Sequence, residues 1–263
     1  MKHKLRDISV LLIDTFGISF LYRQYMRTKS PLVRVVAFHD VADSVWFDEV
    51  LTMLITHFNV VTPAQFERSE FDHQKINVLL TFDDGYQSWI DNCLPVLEKY
   101  ARKGLFFINS GLLDIAENAD TADFIKQRLY INPKEPLTWA GARELSAKGH
   151  SIGGHTVTHP HVASLEEQEV RREVVDDKQR IESMLNHTVT QFAYPFGREE
   201  DFSEQTIELV REAGYMYQYS AITGFANTRT QGIFPRTLIE KNQPLPQLRR
   251  WIGGGYDLVE LLK

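Results

Sequence analysis

Short apolar runs alternate with helical patterns through most of this chain. Each run predicts a buried strand, and in each helical segment the apolar residues recur with the spacing of one helix face. Gly104, Gly149 and Gly214 follow helical segments, as expected at helix C-termini. We predict strands at 33–38, 76–82, 105–109, 188–194, 215–221 and 236–239, and helices at 47–57, 94–103, 139–148, 166–185 and 202–213.

This alternation predicts an α/β fold in which parallel strands form either a sheet covered on both faces or a closed barrel. The chain has no linker rich in Ser, Gly or Pro and no internal repeat. We therefore predict one domain at 31–263, preceded by a helical extension at 1–30. The segment 114–136 has weaker periodicity and is predicted to be an insertion or a long loop.

Composition and charge narrow the class of protein. The chain is 43% hydrophobic and 24% charged, as in soluble globular proteins. A net charge of −6 without a long basic run argues against a nucleic-acid partner. Cys93 is the only cysteine, which excludes an intrachain disulfide, and we predict that it is buried and inert.

Residues 8–26 form an apolar stretch behind a basic N-terminus, but Asp14 and Gly17 interrupt it. A secretory signal needs an unbroken apolar centre and a cleavage site of small residues, and neither is visible. The stretch is also too short and too interrupted for a confident assignment as a membrane-spanning helix. We therefore expect no cleavable signal peptide and a location in the cytoplasm or at the cytoplasmic face of the membrane.

Two interpretations of residues 8–27 remain open. Arg23 and Arg27 are consistent with an amphipathic helix on a membrane surface, which would be a peripheral contact. The interpretation that we favour is a helix packed on the domain.

Two adjacent carboxylates, Asp83 and Asp84, follow the predicted strand 76–82. Like charges oppose joint ionisation, and a nearby cation removes that cost. Consecutive residues that leave a strand point in different directions, so one carboxylate can bind a cation while the other faces the reacting groups. An ordinary Asp-Asp-Gly turn ending at Gly85 is the alternative.

His155 and His159 are four residues apart, which is the spacing of one face of a helical turn. Pro160 favours a turn or loop over a regular helix at this point. Two neutral imidazoles and one carboxylate, with one position left for water, form the ligand pattern of a catalytic zinc site. The alternative is a pair of surface histidines in a polar loop.

The chain resembles the polysaccharide deacetylases of the NodB-homology group, carbohydrate esterase family 4, over roughly residues 33–240. This resemblance implies a single-domain, distorted (β/α) barrel of about seven parallel strands. It also implies removal of N-acetyl groups from amino sugars. Three motifs carry the resemblance in the family's order and intervals: Thr81-Phe82-Asp83-Asp84-Gly85, His155-Thr156-Val157-Thr158-His159-Pro160 and Phe192-Ala193-Tyr194-Pro195-Phe196-Gly197.

The resemblance also implies roles for single residues. Asp84, His155 and His159 would bind a divalent metal, with zinc expected first and cobalt, nickel or manganese as alternatives. Asp83 would be the general base. The backbone amide of Phe196 would stabilise the oxyanion. Apart from the resemblance, four aromatic residues are candidates for walls around a sugar ring, with burial in the core as the alternative and the favoured interpretation for Trp46. They are Trp139, Tyr194, Phe196 and Trp46.

Two departures from the family pattern concern the partners of the base. Many members carry an arginine in the third motif, where this chain has Ala193, and Arg236 on a later strand is the candidate replacement or else a structural arginine. Many members also carry the general acid on a late Leu-x-His motif, but no histidine follows His187. His39 ends the first strand and resembles the early catalytic histidine of a subgroup that acts on bacterial exopolysaccharides. A structural His39 bonded to a loop carbonyl is the alternative.

The sequence therefore predicts a metal-dependent hydrolase that removes N-acetyl groups from amino sugars of a polysaccharide, an oligosaccharide or a lipid-linked glycan precursor. An O-acetyl esterase acting on acetylated glycans would use the same site. An inactive carbohydrate-binding protein on the same fold is a further alternative, since Ala193 and the missing late histidine depart from the family pattern. Carbohydrate is the expected partner in each case.

Overall fold

The fold is built around one sheet of parallel strands. The structure is a computed structural model that describes residues 11, 13, 15–116, 121–129, 134–227, 232–241 and 243–261. The strands are β1 (Val33–Phe38), β2 (Asn59–Val61), β3 (Asn77–Phe82), β4 (Leu105–Ile108), β5 (Ser151–Gly154), β6 (Gln191–Ala193), β7 (Tyr217–Tyr219), β8 (Ile233–Phe234) and β9 (Arg236–Leu238).

The sheet is nearly closed into a barrel. The strand order is β8-β7-β6-β5-β4-β3-β1-β9, and β2 also pairs with β3. Strands β8 and β9 lie at opposite ends of this order, yet only Pro235 separates them in the chain. The segment 233–238 therefore joins both edges. The predicted (β/α) barrel is confirmed, and the described residues contain nine strands because β2, β5 and β8 add to the six that were predicted individually.

Helices surround the barrel. Pi-helical turns at Trp89–Cys93, Ile125–Leu129 and Arg172–Asp176 adjoin several of them, and short 3-10 turns lie at Val162–Ser164 and Glu199–Asp201. The α-helices are α1 (Ile18–Arg27), α2 (Ser44–His57), α3 (Pro63–Glu67), α4 (Leu94–Lys99), α5 (Ser110–Ala116), α6 (Ala122–Phe124), α7 (Trp139–Ala147), α8 (Glu167–Arg171), α9 (Asp177–Leu185), α10 (Glu204–Glu212), α11 (Leu245–Ile252) and α12 (Gly255–Leu261).

The segment 114–136 was expected to be an insertion or a long loop, and its described part is largely helical, which contradicts the loop alternative only. It contains the end of α5, all of α6 and the turn Ile125–Leu129. These helices are held by a few buried side chains, including Ile125 and Leu129, and they are too short to repeat an apolar stripe. Residues 117–120 and 130–133 lie outside the described residues.

Side chains alternate between two buried clusters along the strands, as the period of two requires. In β3, Leu79 belongs to the smaller cluster, which also contains Phe107 and Tyr219, whereas Leu80 packs in the larger one. Cys93 is fully buried, as predicted, and burial raises the pKa of its thiol well above the usual value.

Helix α1 packs on the domain through one side. Ser19 is buried, and an Arg23 Nη1 donates to the carbonyl of Gly253 at 2.9 Å. Arg27 donates to the carbonyl of Gln74. The packing agrees with the favoured interpretation for the described part of 8–27. No helix within the described ranges is both long enough and apolar enough to cross a membrane.

A buried ion pair fixes the C-terminal helices to the barrel. Arg34 on β1 donates to both carboxylate oxygens of Asp257 on α12, at 3.1 and 2.8 Å, and its Nε donates to the carbonyl of Ile252 at 3.2 Å. Both charged side chains are buried. An unpaired charge is very costly in such surroundings, so each buried charge needs the other as its counter-charge.

Replacement of Asp257 by Ala is expected to destabilise the fold by roughly 3–5 kcal/mol, since it leaves the Arg34 guanidinium buried without a counter-charge. Unfolding in urea measures this loss. The double variant Arg34→Met, Asp257→Leu removes both charges and should recover much of it. As a control, Glu98→Ala breaks the solvent-exposed pair with Lys148 and should cost far less stability than Asp257→Ala, because water screens exposed ion pairs. Equal losses for Asp257→Ala and Glu98→Ala would contradict this prediction.

Candidate functional site

The C-terminal ends of the parallel strands surround one cavity of about 420 Å³. Strands β1 and β3 end directly before His39 and Asp83, and β5 ends directly before His155. Parallel strands place their carboxyl ends at the same edge, which is where barrel enzymes hold their reacting groups. These three residues line the cavity, together with Asp84, His159, Tyr194, Phe196 and Arg236.

The two aspartates leave β3 in a sharp turn. The amide of Asp83 still donates to the carbonyl of Phe38 on β1 at 2.9 Å. Asp84 and Gly85 then have positive φ angles of 86° and 107°. A positive φ is unfavourable for a non-glycine residue such as Asp84, so the surrounding structure must hold it there. The turn separates the two carboxylates, as their consecutive positions predict.

Asp84, His155 and His159 form a buried cluster whose ligand atoms all lie within 4.8 Å of one another. Asp84 Oδ1 is 3.4 Å from His155 Nε2 and 3.5 Å from His159 Nε2. In the described part of the chain, this buried oxygen has no hydrogen-bond partner. A buried, unpartnered carboxylate oxygen beside two imidazole nitrogens fits a divalent cation.

The remaining polar atoms of these three side chains are fixed by neighbours. His155 Nδ1 lies 2.7 Å from the carbonyl of Ala193, and His159 Nδ1 lies 3.1 Å from the carbonyl of Arg128. Because carbonyls only accept, each Nδ1 carries the proton and each Nε2 keeps its lone pair for a ligand. The Tyr86 hydroxyl donates to Asp84 Oδ2 at 2.7 Å.

Burial and charge set the protonation of the cluster. Burial opposes ionisation of Asp84, but the adjacent His155, together with His39 and His159, holds its pKa below the usual value. Burial lowers the pKa of His159 to about 4, so this ring is neutral at pH 7. Burial also acts to lower the pKa of His155, but Asp84 and Asp83 raise it overall. A metal at this cluster therefore competes with a proton on His155.

Arg236 holds Asp83. Two guanidinium nitrogens donate to the two Asp83 oxygens, each at 2.7 Å, while Nε donates to the carbonyl of Ser220 at 2.8 Å. Burial would raise the pKa of Asp83, but Arg236, together with the nearby His155 and His39, outweighs this effect and keeps the pKa below the usual value. Strand β9 carries Arg236 beside β1, so barrel closure brings a late residue to an early strand.

His39 lies next to the aspartates on the neighbouring strand. Phe38 pairs with Phe82, so the residues that follow them, His39 and Asp83, leave the sheet side by side. His39 is exposed and lines the cavity. Within the described ranges its ring has no hydrogen bond to a loop carbonyl, and its own carbonyl accepts from Trp89 Nε1 at 2.8 Å. Its role as general acid stays a prediction.

The third motif contributes an aromatic wall and a core residue. Phe196 has a φ of 59°, stacks on His161 at 3.8 Å between ring centroids, and contacts His159 at 4.6 Å. Tyr194 lines the cavity, but it is almost fully buried and its hydroxyl donates to Gln218. The oxyanion and substrate roles of Phe196 and Tyr194 stay predictions.

The two tryptophans differ from their expected positions. Trp139 is fully buried and donates to Asp114 at 2.8 Å, so it belongs to the core and does not line the cavity. Trp46, expected in the core, is half-buried, packs against Phe38, and also lines the cavity. It lies in the first turn of α2, which directs a side chain toward the preceding loop rather than inward.

Sequence reasoning missed residues that support the cluster. Asn109 Nδ2 donates to the carbonyls of His155 and Thr156. Asp177 Oδ1 accepts from the amide of Ser110 at 2.9 Å, and its Oδ2 accepts from the amide of His155 at 3.1 Å. A signal for Asp177 was present, because it falls on the apolar face of its helix between Val174 and Ile181.

Glycine is required at position 154 because any larger side chain would collide with the residues that hold His155. A Cβ at Gly154 would lie 2.1 Å from the Tyr215 hydroxyl and 2.8 Å from Asp177 Oδ2. The neighbouring Gly153 has a similar constraint, since its Cβ would lie 2.5 Å from the Phe107 ring. The pair of glycines before His155 therefore allows β5 to pass close to the buried carboxylate.

Asp177→Asn should destabilise the protein by about 1–3 kcal/mol at low pH, because its amide nitrogen cannot accept from one of the two backbone N–H groups. Burial raises the pKa of Asp177 from 3.8 to about 7. The protonated carboxyl therefore stabilises the wild-type protein below about pH 4, and this contribution is lost as the pH rises to about 7.

The difference in unfolding free energy between wild type and Asp177→Asn should consequently narrow between pH 4 and 7, as measured by urea unfolding. The exposed neighbour Asp176 provides the control, and Asp176→Asn should show neither effect. A difference that stays constant across this range would contradict the assignment of Asp177.

Known protein sequences are similar to this chain. The sequence model of the family described as polysaccharide deacetylase matches residues 71–218. YxkH of Bacillus subtilis (strain 168), named after the same family, is 30% identical over 157 residues, which cover 60% of this chain and 48% of YxkH. A peptidoglycan-N-acetylglucosamine deacetylase of Bacillus cereus (strain ATCC 14579) is 24% identical over 145 residues, or 55% of this chain and 44% of the relative. The chain thus spans about half the length of these relatives.

Solved structures share the fold. The Streptococcus pyogenes deacetylase PplD in complex with acetate has a TM-score of 0.69 and 21% identity, covering 84% of this chain and 98% of that chain. IcaB from Ammonifex degensii has a TM-score of 0.67 and 20% identity, covering 85% and 98%. Since the family match extends over more than half of the sequence, this chain belongs to the polysaccharide deacetylase family.

Proposed function

We propose that this protein is a metal-dependent hydrolase that removes N-acetyl groups from amino sugars of a glycan. The observation that carries the proposal is the buried cluster of Asp84, His155 and His159 beside the Asp83–Arg236 pair. Both groups lie at one cavity formed by the strand ends. Family membership and the deacetylase activity for which the Bacillus cereus relative is named support it.

Asp84, His155 and His159 would hold the cation. One carboxylate and two imidazoles with fixed tautomers suit zinc, and cobalt, nickel or manganese remain alternatives. A bound divalent cation supplies a water whose pKa falls toward about 7 and polarises the substrate carbonyl.

Asp83 is the proposed base. It is ionised, and each oxygen keeps a lone pair beside the one that Arg236 uses. It takes a proton from the water that adds to the acetamide carbon. Arg236 fixes the direction of the carboxylate and, through its bond to Ser220, is itself fixed.

His39 is the proposed acid. Its protonated ring gives a proton to the sugar nitrogen as the C–N bond breaks, which leaves acetate and a free amino group. Imidazole suits this task because it exchanges a proton near neutral pH. The neighbouring positions of His39 and Asp83 would let acid and base reach the same amide.

The cavity suits a sugar substrate. Its volume of about 420 Å³ lies within the range of sites for small ligands. Trp46 and Phe196 offer aromatic surface along it. The indole nitrogen of Trp46 is buried without a hydrogen-bond partner in the described part of the chain, so it is available to a sugar hydroxyl.

Protein reconstituted with zinc is expected to release acetate from N-acetylglucosamine oligomers faster than from acetylated xylan. A colorimetric or enzymatic acetate assay measures both rates. Release from xylan alone would favour the O-acetyl esterase, and this result would contradict the proposal. A metal-loaded protein that binds the oligomers but releases no acetate would favour the inactive carbohydrate-binding protein and contradict the proposal as well.

His155→Ala should lower metal affinity by at least about 100-fold and abolish acetate release. Loss of a residue that only hydrogen-bonds to a metal ligand already costs up to about 100-fold in metal affinity, and loss of the ligand itself costs more. Metal content after dialysis and acetate release are the two measurements. His187 is exposed and lies outside the cavity, so His187→Ala is the matched control and should leave both unchanged. Wild-type metal content and activity in His155→Ala would overturn the metal assignment.

His39→Gln should lower kcat by roughly 10²–10⁴-fold with little effect on metal content, because the leaving nitrogen loses its proton donor. His73 is also exposed but lies outside the cavity, and His73→Gln should behave as wild type. An unchanged kcat for His39→Gln would assign the acid to another residue.

A further inference from the structure

Exposed apolar side chains concentrate in and just before α1, and none of them lines the catalytic cavity. Of the eight large hydrophobic residues exposed in the described residues, six fall between residues 11 and 25. The other two, Val45 and Met216, lie singly elsewhere. An apolar concentration of this kind is typical of an interaction surface. The six are Leu11, Phe16, Ile18, Phe20, Leu21 and Tyr25.

Four of them form the outer face of α1. Ile18, Leu21 and Tyr25 follow one another at the spacing of a single helix face, and Phe20 lies beside them. The opposite side packs on the domain through the buried Ser19. Helix α1 is therefore amphipathic, with an apolar face that the described part of the chain leaves uncovered.

A basic cavity of about 410 Å³ borders this helix. It has no carboxylate among its lining residues in the described part of the chain. The protein as a whole carries a net charge of −6, so this local concentration of positive charge runs against the average. The charged or titratable residues that line it are Arg23, Arg27, His57, Lys75, Arg249 and Arg250.

The apolar face and the basic cavity are joined through α1 itself. Phe20, Arg23 and Arg27 follow one another at helical spacing, so the exposed ring lies on the same side as the two cavity arginines. Arg27 Nε is buried without a hydrogen-bond partner in the described ranges. It is a donor available to an anion in the cavity.

We propose that this surface, formed by the outer face of α1 and the basic cavity, docks the protein on an anionic lipid bilayer. The apolar side chains enter the boundary between headgroups and acyl chains, as in other interfacial helices. The basic cavity takes the phosphate of an anionic lipid headgroup. Positive charge directly beside an exposed apolar helix face is the combination that binds the surface of an anionic bilayer.

The docked orientation has a consequence for the substrate, and this consequence rests on the proposed function. The basic cavity reaches Lys75 and Ile76 before β3, whereas Asp83 follows the end of β3. Seven residue steps of extended strand separate Ile76 from Asp83, so the two residues are roughly 23 Å apart along β3. The catalytic cavity thus faces away from the lipid, toward glycan segments that extend from the surface.

Flotation of the full chain with vesicles tests the docking without using the catalytic site. We expect binding to phosphatidylcholine vesicles that contain phosphatidylglycerol and little binding to phosphatidylcholine alone, with weakening as salt increases. Lys75→Glu with Arg249→Glu should weaken binding by at least about twenty-fold. Phe20→Gln with Leu21→Gln should weaken it by at least about tenfold.

Matched variants elsewhere separate docking from general surface effects. Arg172→Glu with Arg198→Glu reverses two exposed charges, and Val45→Gln with Met216→Gln removes two exposed apolar groups. Both controls should bind vesicles as the wild type does. Urea unfolding and acetate release from a soluble oligomer should be unchanged in all four double variants, which shows that each one is folded.

Three results would overturn the proposal. The first is the absence of binding to the anionic vesicles. The second is wild-type binding by both test variants. The third is another use of the same surface in the absence of vesicle binding. It would be self-association that Phe20→Gln with Leu21→Gln abolishes, or binding of inorganic phosphate that Lys75→Glu with Arg249→Glu abolishes.

Discussion

Two adjacent carboxylates buried at the end of one strand are the constraint on which the site depends. Asp83 and Asp84 are both nearly inaccessible to solvent, and each needs a separate source of positive charge to stay ionised. Arg236 provides it for Asp83 through two hydrogen bonds. For Asp84, the two imidazoles of His155 and His159 offer the ligand atoms for a cation. The turn at positive φ keeps these two environments apart.

The barrel supplies both environments. Closure through the segment 233–238 brings β9 beside β1, and only this closure carries Arg236 to an early strand. At β5, Gly153 and Gly154 let the strand pass close to Asp177, which then holds the amide of His155. The positions of the reacting groups are thus determined by the packing behind them as much as by the motifs.

The barrel and the members of the buried Asp-His-His cluster could be predicted because the information is local. Asp84, His155 and His159 directly follow strand ends or belong to short motifs, and parallel strands end together. Asn109 and Asp177 were missed because their partners are distant in sequence and no motif contains them. The sequence nevertheless contained a signal for Asp177, because it is a charged residue on an apolar helix face. The prediction that Trp46 lies in the core was wrong, because burial of an aromatic side chain in the first turn of a helix depends on the loop before it.

The central claim is that the two aspartates have different tasks, and one comparison tests it most directly. Asp84→Asn and Asp83→Asn are titrated with zinc and then assayed for acetate release. Asp83→Asn should bind zinc with wild-type stoichiometry while its kcat falls by roughly 10²–10⁴-fold, whereas Asp84→Asn should lose zinc and activity together. Equal zinc affinities in the two variants, whether both retained or both lost, would contradict the account.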